Sequence, residues 1–286
     1  MGDALGDELV ALRRHLVELE RVVVAFSGGA DSALLAWVAH DTLGADRVHA
    51  VTAVSASLAG TERTDCAALA AEWDLRWSEV GTDELADPSY RRNDADRCAH
   101  CKGALMDTLS PVAEREAACV VLGVNVDDLG DHRPGQAAAA DRGARFPLVE
   151  AGFTKQAVRT TSRRLGLRTW DKPAAACLAS RVPYGTPVTL GVLDRVGRAE
   201  AGLRTMGFAA LRVRHYDDTA RLKVPVADLA EVVARRDDVV AAVRGAGYRY
   251  VTLDLEGLRS GNLNAALADG AGSTVRRRRS GSRTES

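Results

Sequence analysis

Residues 22–32 read VVVAFSGGADS, an apolar, β-branched run that enters a Ser-Gly-Gly turn without a spacer and leaves it in a helical pattern. A strand this apolar has to be covered on both faces, and a strand that turns directly into a helix opens a βαβ unit. The segment therefore commits the chain to an α/β fold built on a parallel sheet. The turn also has a chemistry. Gly28 and Gly29 permit φ > 0 and let backbone N–H groups face an anion, and Ser27 and Ser32 add hydroxyl donors. A helix starting near Ser32 aims its positive end at the same point. Asp31 is then placed to hold a magnesium ion against bound phosphates. The plainer alternative is a Gly-rich junction in which Asp31 or Ser32 only caps the helix. No Gly-Lys-Ser/Thr of a Walker loop follows, and the spacing is not GxGxxG.

The same rhythm continues downstream. Strands are expected over 21–26, 47–54, 75–80 and 118–123, with helices over 32–41, 61–72 and 97–109. Directly after the fourth strand, 123–128 read GVNVDD, which sets Asn125, Asp127 and Asp128 at the carboxyl edge of the sheet, where open α/β sheets bind ligands. Ordinary turn chemistry is the competing reading there. A helix over 155–165 carries Ala157, Val158, Thr161 and Leu165 on one side and stops at Gly166. Residues 170–189 hold three prolines and no periodicity, the mark of a loop packed near a site. A helix, strands over 211–215 and 221–224, a helix over 226–246 and a strand over 250–255 form a smaller α+β domain. The expected division is thus 1–147, 148–268 and an Arg-rich end, 269–286, too poor in apolar residues to offset the entropy of ordering. That end reads as solvated chain rather than a phosphate-binding arm.

Charge and composition narrow the function classes. With 38 basic against 39 acidic residues and a net charge of −1, a strongly basic nucleic-acid domain is excluded. Setting aside the five arginines, Asp269 and Glu285 of the end leaves 33 basic against 37 acidic residues, which argues against an RNA-binding face. No run of about 18 apolar residues exists, and 1–19 are acidic and amphipathic rather than a signal peptide, so a cytoplasmic protein is expected. Only four of the 38 basic residues are lysine, namely Lys102, Lys155, Lys172 and Lys223. Where lysine survives such a bias, a point charge that arginine's planar fork cannot replace is one reading, and compositional drift is the other.

Five cysteines, 66, 98, 101, 119 and 177, do not make a disulfide framework in a chain of 286 residues. Cys98-Ala-His-Cys101 places two thiols one helical turn apart, able to share a metal; Cys177 brings the set to three, one short of a closed site. His100 is an alternative fourth ligand for zinc. Cys66 and Cys119 read as core. Arg212 and Arg214 alternate along a strand and share a face, suited to a phosphate, with exposed salt bridges as the bland alternative.

The turn SGGADS resembles the PP-loop of the ATP pyrophosphatase superfamily, which splits ATP between its α and β phosphates and transfers AMP. Further motifs in order, GVNVDDLGDHRPG, FPLVEAGFTKQAVR, WDKPAAACLASRVPYGTPVT, LRVRHY and VTLDLEGLRSGNLN, extend the resemblance over nearly the whole chain apart from its end. Together they are similar to the LarE family, ATP-dependent sulfur transferases of nickel-pincer cofactor synthesis. The resemblance implies that the carboxylates of a pyridinium dicarboxylate mononucleotide are adenylated and become thiocarboxylates. It also implies Cys177 as the sulfur-bearing nucleophile, with Lys172 and Arg181 beside it as cations able to lower a thiol pKa. Ser180, Arg181 and Glu200 match positions around the substrate, near the phosphate-suited pair Arg212 and Arg214, and Asp254 is a weaker candidate. In one branch of the family the cysteine gives up its own sulfur and becomes dehydroalanine. In the other, three cysteines hold a [4Fe-4S] cluster whose open iron carries the sulfide; Cys98, Cys101 and Cys177 match that set, and the cluster version is favoured. Homo-oligomers and other proteins of the cofactor pathway are implied as partners. A tRNA-thiolating PP-loop enzyme and a non-catalytic nucleotide-binding regulator are the competing functions.

Overall fold

The computed structural model describes residues 4–129, 134–173 and 176–258. The expected Arg-rich end and the motif residues at 130–133 and 259–264 lie outside the described residues. In chain order the elements are α1 (Ala4–Leu19), β1 (Val22–Ala25), α2 (Ala30–Leu43), β2 (Val48–Val54), α3 (Gly60–Glu72), β3 (Trp77–Gly81), α4 (Pro88–Arg92) and α5 (Arg97–Glu116). They continue with β4 (Cys119–Leu122), α6 (Pro134–Ala140), α7 (Pro147–Glu150), α8 (Lys155–Arg164), α9 (Leu190–Thr205), β5 (Arg212–Tyr216), β6 (Thr219–Lys223), α10 (Leu229–Ala234), α11 (Arg236–Gly245) and β7 (Tyr250–Leu253).

The chain divides into two compact units, Met1–Leu178 with Val188–Leu193, and Ala179–Pro187 with the chain from Asp194 onward. The division falls later than a boundary after 147 anticipates, because Phe153, Ala157, Val158 and Leu167 belong to the core of the first unit.

In the first unit four parallel strands pair in the order β3-β2-β1-β4. Alternation explains how both faces close. Val22, Val24, Val48, Ala50 and Val121 face a core shared with α1, α2, α3 and α8, while Val23, Val51, Val120 and Leu122 face α5 and α6. Each fully buried aliphatic side chain here is worth about 1.5–3 kcal/mol of transfer free energy. Helix α5 runs on to Glu116, beyond the expected end at 109, and carries Pro111 inside it. Burial of Val112 and Ala113 against the sheet offsets the donor that proline lacks.

In the second unit β5 and β6 are antiparallel and β6 and β7 parallel, over a core that includes Leu203, Phe208, Val213, Val239 and Val243. The single helix expected over 226–246 is broken into α10 and α11 at Arg235, whose backbone leaves the helical region at φ −103°, ψ 26°. Its guanidinium donates to the Met206 carbonyl at 2.7 Å and lies 5.4 Å over the Phe208 ring, drawing the chain out of line.

Thr154 caps α8, its hydroxyl accepting the Ala157 N–H at 3.1 Å. Thr154→Ala should cost about 1 kcal/mol, read as a lower urea midpoint at unchanged slope.

Candidate active site

The phosphate loop joins β1 to α2. Gly28 takes φ +66°, where a side chain is strained, whereas Gly29 is ordinary extended backbone at φ −74°, so only the first glycine supplies the positive φ expected of both. The helix begins at Ala30, two residues before its expected start, which puts Asp31 and Ser32 in its first turn, among amides that lack intrahelical acceptors. The two serines fix each other, with Oγ atoms 3.0 Å apart; Ser32 Oγ also donates to Gly29 O and accepts from Ser27 N–H.

The 123–128 segment reaches the same turn. A Cβ at Gly123 would lie 2.6 Å from Ser32 N, an approach open only to glycine. Two residues on, Asn125 donates from Nδ2 to Asp31 Oδ1 at 2.9 Å and from its backbone N–H to Asp128 Oδ2 at 3.4 Å. Burial, with Asp128 nearby, pushes the Asp31 carboxyl above its usual range despite the Asn125 hydrogen bond. Asp128 also meets Lys155 Nζ at 3.2 Å. Two adjacent carboxylates beside an anion cup suit a divalent cation. Asp127 does other work: its Oδ2 accepts the Lys155 backbone N–H at 2.7 Å, tying down the start of α8.

One cavity of about 340 Å³ is lined by Ser27, Ser32 and Gly123 together with Cys101, Lys102 and Cys177. Burial, reinforced by Cys177, pushes the Cys101 thiol up to about 12. Cys98, one turn earlier on α5, is exposed. The backbone carbonyl of Cys98 is approached by α6 at Gly135, where a Cβ would come within 2.7 Å of it. Buried Glu84 and Tyr90 surround the thiols: Tyr90 and Ser57 share a hydrogen bond of 2.6 Å, and Glu84 accepts from Thr82 Oγ1 at 3.1 Å. Sequence reasoning missed both, because 82–96 shows no periodicity to mark it as a wall of a site.

The other expected cysteines and cations are placed as follows. His100 turns its ring nitrogens to Asp87 at 2.7 Å and Asp96 at 3.5 Å, so it is engaged by carboxylates. Among the described residues no three His, Cys, Asp or Glu side chains converge as a single metal ion requires. Cys101 and Cys177 line the same cavity, and Cys98 and Cys177 both act electrostatically on the Cys101 thiol. Cys66 is core, as expected, while Cys119 is only half-buried at the start of β4. Lys172, expected beside Cys177, binds Gly28 O, Glu62 and Asp65.

In the second unit the buried Glu200 grips Arg181 through two hydrogen bonds, 2.7 and 3.1 Å, and also accepts from Arg204 and from Val213 N–H. Arg181 bonds Ser180 Oγ, and Arg214 bonds Ser180 O at 3.4 Å. The register sets Arg212 opposite Lys223 and Arg214 opposite Arg221, four cations on one face of the sheet, where like charges repel. Asp254 answers Lys223 at 2.9 Å and Arg221 at 3.6 Å, which makes it their counter-ion. Burial, with Arg212, Arg221 and Arg181 close by, holds the Arg214 guanidinium below its usual range, and its Nε is buried without a hydrogen-bond partner.

Comparison with known proteins agrees with this geometry. The NAD synthase family matches residues 10–95, the stretch that holds the phosphate loop, which gives the class: a PP-loop, ATP-using domain. An uncharacterized protein of Synechocystis sp. is 45% identical over 92% of this chain and 99% of its own length. The pyridinium-3,5-bisthiocarboxylic acid mononucleotide synthase of Lactiplantibacillus plantarum is 39% identical over 92% of this chain and 96% of its own length. An uncharacterized protein of Methanocaldococcus jannaschii is 23% identical over 88% and 98%. The chain belongs to the LarE family, the pyridinium-3,5-bisthiocarboxylic acid mononucleotide synthases.

Two outcomes follow from the loop. Gly123→Ala should weaken ATP binding at least tenfold by calorimetry, with the circular dichroism spectrum kept. Asp31→Asn should raise the urea midpoint of the ligand-free protein at pH 8. The raised Asp31 pKa means that folding is favoured while the carboxyl is protonated and loses that contribution as pH rises through the folded value. The gain should therefore shrink to nothing toward pH 4, and a pH-independent gain would contradict it.

Proposed function

We propose that this protein is a cytoplasmic, ATP-dependent sulfurtransferase that converts the carboxylates of pyridinium-3,5-dicarboxylate mononucleotide to thiocarboxylates. The observation that carries the reading is the single cavity in which phosphate-loop serines face Cys101 and Cys177. Family membership supplies the substrate.

A carboxylate is a poor acyl electrophile, so the first step replaces one oxygen with a leaving group. The carboxylate oxygen attacks the α-phosphorus of ATP, the bond to the β-phosphate breaks, and pyrophosphate departs. Ser27, Gly28, Gly29, Ser32 and the first-turn amides of α2 hold the phosphates, and Asp31, with Asn125 and Asp128, would hold magnesium, which neutralises the developing charge. Sulfur then adds to the acyl carbon and AMP leaves. If the sulfur is that of Cys177, the product is a thioester; loss of the Cα proton and cleavage of the Cβ–S bond release the thiocarboxylate and leave dehydroalanine. A [4Fe-4S] cluster held by Cys98, Cys101 and Cys177 would supply sulfide instead, and the donor set fits it with one iron uncommitted. Ser180, Arg181, Arg212 and Arg214 take the substrate phosphate, with Glu200 orienting Arg181. Homo-oligomeric assembly and exchange of substrate with other proteins of the cofactor pathway complete the reading.

Incubation with ATP and the pyridinium dicarboxylate should release pyrophosphate and yield thiocarboxylate, and Cys177→Ala should lower product formation at least a hundredfold. A variant that thiolates at the parent's rate overturns the reading. Anaerobic purification with iron and sulfide assay, and mass spectrometry of the Cys177 peptide after turnover, separate the sulfur sources. Loss of one sulfur and two hydrogens marks sacrifice, and an intact peptide marks a cluster donor.

A further inference from the structure

The segment that delivers Cys177 is held on both sides of it. Leu178 N–H donates to Ser57 O at 2.8 Å. Upstream, Arg159 of α8 donates to the carbonyls of Trp170 and Lys172, each at 3.3 Å. The Lys172 side chain reaches in the direction of the phosphate loop. Its Nζ donates to Gly28 O at 3.1 Å and to Asp65 Oδ2 at 2.6 Å, and stands 2.8 Å from Glu62 Oε2. Both carboxylates lie on α3, and the lysine side chain is only 17% exposed. Burial alone would lower the ammonium's pKa, but Asp65 and Glu62 outweigh it and raise it, so the charge is kept.

The bond to Gly28 O has a geometric consequence. In a trans peptide the carbonyl of one residue and the N–H of the next share a plane and point in opposite directions. Anchoring Gly28 O on Lys172 therefore aims Gly29 N–H away from the lysine, directly after Gly28, the one loop glycine with a positive φ. Three oxygens surround one ammonium, Gly28 O and Asp65 Oδ2 as hydrogen-bond acceptors and Glu62 Oε2 as an ion-pair partner, an arrangement that a compact point charge fits and a planar guanidinium does not. This accounts for lysine at 172 in a chain with only four lysines among 38 basic residues.

We propose that Lys172 is a positioning residue that couples the phosphate loop to the sulfur-bearing segment. One ammonium sets the Gly28–Gly29 peptide plane and, five residues along the chain, the placement of Cys177. Nucleotide in the loop and sulfur at 177 are thereby held in one register. The role rests on the sulfur-transfer reading, and its test is chosen to stand apart from that reading.

The test compares hydrogen–deuterium exchange of the anaerobically purified parent and Lys172→Met, with and without saturating α,β-methylene-ATP. In the parent, nucleotide should slow exchange at least threefold both in the loop peptide, 27–33, and in the peptide spanning 170–180. In Lys172→Met the loop peptide should still respond and the 170–180 peptide should not. Retained protection of 170–180 in the variant, or its absence in the parent, overturns the proposal. If Lys172→Met no longer binds nucleotide, Lys172→Arg, which keeps the charge without the three-way fit, is read by the same criteria. A second readout is the ratio of thiocarboxylate formed to pyrophosphate released, expected to fall at least tenfold in the variant. An unchanged ratio, with both rates lowered together, assigns Lys172 a structural role only and also overturns the proposal. A parent that protects both peptides but makes no thiocarboxylate refutes the sulfur-transfer reading and leaves the coupling standing.

Discussion

The close approach of Gly123 to the first turn of α2 is the contact on which the site depends. Parallel pairing of β1 with β4 brings the carboxyl ends of both strands to the same edge. Only because residue 123 has no side chain can the chain leaving β4 pass against the Ser32 backbone. That passage puts Asn125 within hydrogen-bond reach of Asp31 and makes one cavity wall out of two βα junctions. The loop serines, the Asp31 carboxylate held by Asn125, and the Cys101 and Cys177 thiols are then neighbours without any long-range adjustment.

The parallel sheet, its two-sided burial and the phosphate loop were legible in the sequence because each rests on local information. An apolar run followed by Gly-Gly and a helical pattern fixes strand, turn and helix within eleven residues. What stayed hidden depended on partners distant in the chain. Glu84 and Tyr90 carry no motif, and they become part of the site only when α4 and α5 fold over the sheet edge. The break at Arg235 was invisible because helical periodicity continues through it; a carbonyl at Met206 and the ring of Phe208 decide it. The scarcity of lysine did flag positions 102, 155, 172 and 223, yet it said nothing of their partners. Spacing along the chain sets Lys172 near the thiol, and its ammonium goes to Gly28 O, Asp65 and Glu62.

The second unit shows the same division. Alternation along the strand was enough to put Arg212 and Arg214 on one face, and the register adds Arg221 and Lys223 to it. Which of these cations are neutralised internally is a tertiary matter. Asp254 takes two of them, and Glu200 is shared among Arg181, Arg204 and the Val213 amide. A buried ion pair of this kind contributes little net stability, because desolvation offsets most of the attraction. Its value lies in holding Arg181 in one orientation.

Cys66 stands beneath the glycine turn, its sulfur 3.0 Å from the point where a side chain on residue 28 would begin. The nearest atom beneath the loop is therefore a sulfur on α3, ahead of Leu69 Cδ1 at 3.5 Å, and the choice of amino acid at 66 is constrained by a residue 38 positions earlier. Extra bulk there presses on the peptide bonds of the glycine turn. The thiol at 66 thus sets how closely α3 can approach the glycine turn.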